Sequence, residues 1–246
     1  MTFSWLMYGL IASIIIAGYA YVKKSLTLDG TIAAILIGSL IYGYAGGYAY
    51  LVLMVFFGSS MLIGKLDKAS VKESRNAVQV LANSALATLM AALIGVTQDP
   101  FFWGLYMVSV GVSAADTWAS ELGKRSRSRP FHIFKFKRMD SGLSGAVSLR
   151  GILASLAAGF TFAFLSSFVI DSFTYIFLVG FFSFLGSIID SMLGTIQVKY
   201  KHTISKIITE EKSHLTEYYS GIKYLGNNGV NFLSNMVSLL IMTAFV

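Results

Sequence analysis

The chain has 246 residues, 55% of them apolar and only 13% charged. Soluble domains carry about 25% charged residues. A water-soluble enzyme, a nucleic-acid-binding domain and a disordered chain are therefore excluded together, and a mean hydropathy of +0.69 leaves a polytopic membrane protein. The absence of Cys excludes a disulfide framework, a thiolate metal site and a cysteine nucleophile, and three His are too few for a histidine-rich metal centre.

A helix needs about 20 apolar residues to cross about 30 Å of hydrocarbon. In chain order, eight runs meet this need: 4–22, 30–46, 48–64, 77–96, 101–120, 151–170, 174–197 and 228–246. They are too long and too evenly apolar for barrel strands, which alternate at period two. The first run lacks a basic leader and a small-residue cleavage site, so it reads as a retained helix. The expected fold is an all-α polytopic membrane protein, a single transmembrane domain over 1–246 with about eight helices.

Charge placement orients this arrangement. Lys23 and Lys24 follow the first run, and Lys65, Lys68, Lys72 and Arg75 separate the third from the fourth. Lys124 to Arg150 separate the fifth from the sixth, and Lys199 to Lys223 the seventh from the eighth. All 19 Lys and Arg fall on one side, and the opposite loops carry only Asp99 and Asp171. Basic loops stay inside. The long loops 65–76, 121–150 and 198–227 are expected to be cytoplasmic, and both termini outside.

Carboxylates in such spans are costly, at least about 2.5–3.5 kcal/mol at mid-bilayer. Asp116, Glu121 and Asp190 stand in or beside predicted spans. Ser113, Asp116, Ser120 and Gly123 repeat the spacing of Ser187, Asp190, Gly194 and Gln197, which places each set on one helical face. Both runs cross in the same direction, so the faces can oppose each other as a parallel repeat. Glu121 lies about 140° around an ideal helix from Asp116 and joins it only if the helix unwinds near Gly123. Amide stripes enter from the same side: Asn76, Gln79 and Asn83 in the fourth run, and Asn228, Asn231, Asn235 and Ser238 in the eighth. Such stripes also serve helix packing. Together these faces describe a polar cavity on the cytoplasmic side.

The loops add phosphate chemistry. Residues 124–138 mix Lys and Arg with Phe131, His132, Phe134 and Phe136. They form a basic, aromatic segment suited to anionic membrane lipids, or a clamp for the phosphates of a nucleotide or lipid headgroup. The small residues of 141–148, with Gly142, Ser144, Gly145 and Ser148, can present backbone N–H groups to an anion ahead of a helix. They lack the Gly-Lys-Ser/Thr ending of a Walker A loop. In loop 198–227, the mixed signs of Lys206, Glu210, Glu211, Lys212 and Glu217 predict a solvated helix, with His214 a weak catalytic candidate. Asp29, Asp99 and Asp171 read as helix caps or loop charges.

Carboxylates beside cations, in a site open to cytosol and bilayer, suit metal-assisted phosphoryl transfer. Mg²⁺ takes one or two carboxylates plus phosphate oxygens and water, which Asp116 and Asp190, with Glu121, can supply. Lys124, Arg125 and Arg150 would neutralise charge on the transferred group. A phosphate acceptor needs no general base, which fits the lack of a well-placed His.

These motifs resemble the integral membrane family known as domain of unknown function number ninety-two, which includes the plant phytyl-phosphate kinase. The likeness lies in Arg75-Asn76-Ala77-Val78-Gln79-Val80-Leu81-Ala82-Asn83, Ala115-Asp116-Thr117-Trp118-Ala119-Ser120-Glu121, Ser148-Leu149-Arg150-Gly151, Gly186-Ser187-Ile188-Ile189-Asp190-Ser191-Met192-Leu193-Gly194 with Gln197, and Asn227-Asn228-Gly229-Val230-Asn231. The family loop usually reads Gly-Thr-Asn-Gly-Gly-Val-Ser, where this chain has Leu143 for Thr and Ala146 for Gly. Ser84 also stands where the family often has Gly. The resemblance implies an isoprenoid-phosphate kinase that makes a diphosphate from a prenyl or polyprenyl phosphate, with CTP or another nucleoside triphosphate as donor. In that reading Arg75, Asn76, Gln79, Asn83, Ser120, Ser187, Gln197, Asn228 and Asn231 shape the pocket. The rivals are an ion- or proton-coupled transporter using the Asp pair, and a lipid-binding scaffold without turnover.

Overall fold

The computed structural model describes residues 3–65, 74–126, 128–139 and 143–246. Among the described residues seven helices carry the fold: α1 (Phe3–Val22), α2 (Leu28–Lys65), α3 (Ala77–Thr97), α4 (Phe101–Gly123), α5 (Leu149–Ser166), α6 (Phe173–Gly194) and α7 (Asn227–Met242). Five of them (α1, α2, α3, α5 and α6) are long and apolar enough to cross a membrane. Residues 30–46 and 48–64, expected as separate spans, join in α2, where Gly46 alone leaves helical geometry at φ 82° and ψ −177°. Only glycine adopts that conformation readily. The chain folds back there. The rings of Tyr42 and Tyr50 are 5.6 Å apart, whereas a straight helix would separate the two residues by about 12 Å along its axis.

Local signals set the helix starts. Asn76 and Gln79 form a reciprocal capping box on α3. Ser148 caps α5 and Ser172 caps α6 through their hydroxyls. Asp99 accepts from the Phe101 amide at the start of α4. Asp29 acts across elements: it sits in the first turn of α2, yet its carboxylate accepts from the Ala77 amide at 2.9 Å.

Helix α4 is the axis of the bundle and packs against α2, α3, α5, α6 and α7. Every residue from Gly104 to Ala115 is buried. Small residues let α4 and α6 approach closely: Gly104 lies against Tyr175, Gly111 against Ser183, and Gly186 against Val112. These contacts advance together along both helices, so the two run in the same direction. At the end remote from the loops, three tyrosine hydroxyls donate to carbonyls of other elements. Tyr106 reaches Ala49 at 2.6 Å, Tyr175 reaches Phe101 at 2.5 Å, and Tyr48 reaches Leu165.

The loops after α4 and α6 hold small antiparallel sheets. β1 (Phe131–His132) pairs with β2 (Ala146–Val147), and β3 (Lys199–His202) lies between β4 (Ile208–Thr209) and β5 (Thr216–Ser220). The solvated helix expected in 198–227 is thus a three-stranded sheet. Tyr200, Thr216, Tyr218 and Tyr219 are residues that favour a pleated surface, and their pattern outweighs the mixed charges. The two hairpins share several bonds at a spacing of seventy residues. His132 and His202 each accept a backbone N–H on Nδ1, from Phe134 and Ile204. Phe136 and Lys206 both take positive φ, at 52° and 58°. The Ile133 amide donates to Gly145 and the Thr203 amide to Leu215. The units α4–β1–β2–α5 and α6–β3–β4–β5–α7 are therefore a structural repeat.

Candidate functional site

The parallel approach of α4 and α6 brings Asp116 and Asp190 into one place. Their carboxyl groups stand close enough for the two charges to act on each other. Two neighbouring negative charges disfavour each other unless a cation or a proton compensates them. They line a cavity of about 450 Å³. Of the residues singled out in the sequence, Gln79, Ser120, Lys124, Ser144, Gly145, Ser148 and Ser187 line it as well.

The surroundings of the two acids differ. Lys124 and Arg75 bring positive charge to Asp116. Asp190, buried at 8% exposure, is held by neutral groups. Ser234 Oγ donates to its Oδ2 at 3.0 Å. The Asn231 amide, oriented to satisfy both ends, donates to the same oxygen at 3.2 Å and to the Asn227 carbonyl at 2.9 Å. Burial pulls the Arg75 guanidinium below its ordinary value, and the Glu121 and Asp116 charges oppose that shift. Burial likewise depresses the Lys199 ammonium, against the pull of Glu210.

Several expected site residues stand elsewhere. Glu121 does not line the cavity, and its charge acts on Arg75. Among the described residues no three His, Cys, Asp or Glu side chains converge, so Glu121 does not complete a triad with the two aspartates. The reason is the one set by helix geometry: α4 stays helical through Gly123, so Glu121 keeps its place around the axis. Arg150 points away, its guanidinium donating to the Arg125 carbonyl at 3.1 Å, and neither lines the cavity. Asn76 is committed to its cap. Asn83 donates to Gln79 O and its carbonyl accepts from Ser113, one layer behind the wall. Asn227 lines the cavity where Asn228 does not. Gln197 is fully buried outside it, with neither amide atom hydrogen-bonded. Gly142 lies outside the described residues.

The site also holds residues that the sequence reading passed over. Ser234 sits on the same face of α7 as Asn231 and Ser238, three and four residues away, and was legible by that spacing. Glu210 reaches the cavity from the second hairpin, where its carboxylate accepts from the Ser144 amide at 2.6 Å and the Ser144 hydroxyl at 2.9 Å. Only a folded sheet could place it there.

The carboxylate pair fits a hard divalent cation. Two aspartates in a polar, partly open cavity leave most coordination positions to phosphate oxygens and water, as Mg²⁺ prefers.

Residues 11–239 match the family described as integral membrane protein DUF92. The chain is 32% identical to Protein PGR of Arabidopsis thaliana, over 95% of this chain and 93% of that protein. It is 31% identical to an uncharacterized membrane protein of Synechocystis, over 85% of this chain and 86% of the other. Identity to the chloroplastic Protein VTE6 of Arabidopsis thaliana is 25%, over 63% of this chain and 51% of that protein. No solved structure matches. With its apolar helices and a match over nearly its whole length, the chain belongs to the DUF92 family of integral membrane proteins.

Proposed function

We propose that the protein is a Mg²⁺-dependent phosphotransferase of the membrane. It would convert a prenyl or polyprenyl phosphate to the diphosphate with a nucleoside triphosphate, CTP being favoured. The observation that carries this reading is the meeting of Asp116 and Asp190, from two parallel helices, in a polar cavity rimmed by Lys124 and the turn at Ser144–Ser148. The family resemblance to the plant phytyl-phosphate kinase supplies the substrate class.

Asp116 and Asp190 would hold the Mg²⁺, which neutralises phosphate charge when bound. Lys124 would face the phosphates, and Arg75 balances the acids from behind. Ser234 and Asn231 fix Asp190 so that its free oxygen points at the ligand. An oxygen of the acceptor phosphate attacks the terminal phosphorus of the triphosphate, the bond to the leaving nucleoside diphosphate breaks, and no proton need be removed first. The acceptor chain would stay in hydrocarbon while its head enters the cavity.

Orientation follows the charges. Every described Lys and Arg lies at or near the cavity end of the bundle, which supports eight crossings, counting α2 as two, with the cavity facing the cytoplasm and both termini outside. The exposed Phe134 and Phe136, beside Lys135, Lys137 and Arg138, would rest on anionic lipid. The enzyme reading is favoured over a transporter because the core beyond the aspartates is filled by Tyr106, Met107, Val108, Val110 and Phe182, each at most 1% exposed.

The test is incubation of purified protein with labelled CTP or ATP, Mg²⁺ and a panel of prenyl alcohols and phosphates. Label appearing in a prenyl diphosphate supports the reading. Cation flux in proteoliposomes without nucleotide, and no transfer, would replace it with the transporter.

A further inference from the structure

The turn beside the cavity already holds an anion. The Ser144 amide and hydroxyl both donate to one carboxylate, that of Glu210, from 66 positions further along the chain. Gly145 follows with φ +86°, and a Cβ there would stand 2.7 Å from Thr195, so the glycine lets this turn pack onto the end of α6 beside the cavity. Lys199, whose ammonium donates to the Gly194 and Thr195 carbonyls at 3.2 and 3.1 Å, lies close enough to feel the Glu210 charge. A backbone N–H, a hydroxyl and a nearby ammonium are the donors that phosphate oxygens take. Glu210 also stands near enough to Asp190 for the two negative charges to repel, so its hold on the turn is weakened by the site it covers.

We propose that Ser144 is a subsite for a phosphate group, and that Glu210 fills it as a tethered stand-in which the arriving phosphate displaces. The β3–β4–β5 sheet carries Glu210 at the end of β4. It is joined to the bundle at its base, where Val198 donates to Leu225 at 2.8 Å and Ile222 to Ile196 at 2.9 Å. Loss of the Glu210 contact would let the sheet swing about that base and uncover the cavity. This inference rests on the phosphate chemistry proposed for the cavity, but it does not depend on transfer taking place.

The test therefore uses binding and distance rather than turnover. Full-length protein in nanodiscs is titrated with a non-hydrolysable nucleoside triphosphate, with farnesyl monophosphate and with inorganic phosphate. Glu210→Gln keeps the shape and removes the competing charge. It is expected to tighten binding of the phosphate ligand about tenfold, as removal of a closed state that is about 90% populated would do, and Ser144→Ala is expected to weaken it. A gain confined to the nucleotide or to the prenyl phosphate identifies which one uses the subsite. Because the chain has no Cys, spin labels at Phe134→Cys and Ile207→Cys report the separation of the two hairpin tips, which should increase with the ligand. Unchanged or weaker binding by Glu210→Gln, or a tip separation indifferent to every phosphate ligand, overturns the proposal. Tighter binding without any phosphate transfer would uphold the displaced carboxylate and defeat the kinase reading alone.

Discussion

The two repeated units, α4–β1–β2–α5 and α6–β3–β4–β5–α7, share backbone and differ in chemistry. Each ends its first helix near an aspartate and follows it with a hairpin folded around a histidine ring nitrogen. The first unit brings Lys124 to its acid, with Arg75 added from ahead of α3, and offers hydrogen-bond donors at Ser144. The second supports its acid with a hydroxyl and an amide, and offers a carboxylate at Glu210. One scaffold used twice thus gives a cavity with unlike walls. Under the proposed transfer, unlike walls would suit the unlike phosphate ligands, donor and acceptor.

The largest way to break the comparison is at its shared point. Asp116→Asn and Asp190→Asn are each expected to reduce phosphate transfer by about 10²–10³-fold or more, with unfolding temperature preserved. Labelled-product assays beside thermal unfolding check this, and wild-type turnover in either variant removes the acids from the metal site. Next comes the contact that aligns the units. Gly111→Val drives a Cβ to within 2.2 Å of Ser183 Oγ, and overpacking of this kind costs about 1–3 kcal/mol. Unfolding in mixed detergent should show the loss, together with impaired transfer.

Smaller effects sharpen the difference between the halves. Ser234→Ala removes the hydroxyl that orients Asp190, and outer partners of metal ligands are worth about 10–100-fold in affinity. A roughly tenfold higher Mg²⁺ requirement is expected, measured as the cation dependence of transfer. Lys124→Gln acts on the other acid and should weaken nucleotide binding more than it alters the Mg²⁺ requirement. Smallest are His132→Ala, which removes the acceptor of the Phe134 amide, and His202→Ala, which removes that of the Ile204 and Ser205 amides, each bond being worth about 0.5–1.5 kcal/mol. Hydrogen exchange of hairpin amides should rise by a similar factor in both, and a strongly unequal response would break the equivalence of the two loops.

Much of this was legible because membranes punish misplaced charge. Asp116 and Asp190 stood out against apolar runs, and their matching neighbours pointed to one face on each helix. The reversal at Gly46 was less visible, since a glycine-rich run separates two spans without showing that one residue turns the chain. The sheet of 199–220 was misread because solvent-exposed charges obscure period-two patterning when a loop is short. Glu210 was hidden for a different reason: its partner lies across a tertiary contact, and nothing local marks a carboxylate that will reach another loop. Glu121 shows the converse. It could join Asp116 only through an unwinding near Gly123, and α4 stays helical through that residue, which leaves Glu121 off the cavity wall.

The hydroxyls of Tyr48, Tyr106 and Tyr175 give the bundle a fastened rim. In hydrocarbon a carbonyl has no water to trade for, so each of these links resists parting far more than an exposed one would. The helices are thereby tied to one another at the end away from the cavity. Under the proposed reaction a prenyl tail would have to enter at the opposite end, and these ties would keep the far side of the bundle shut.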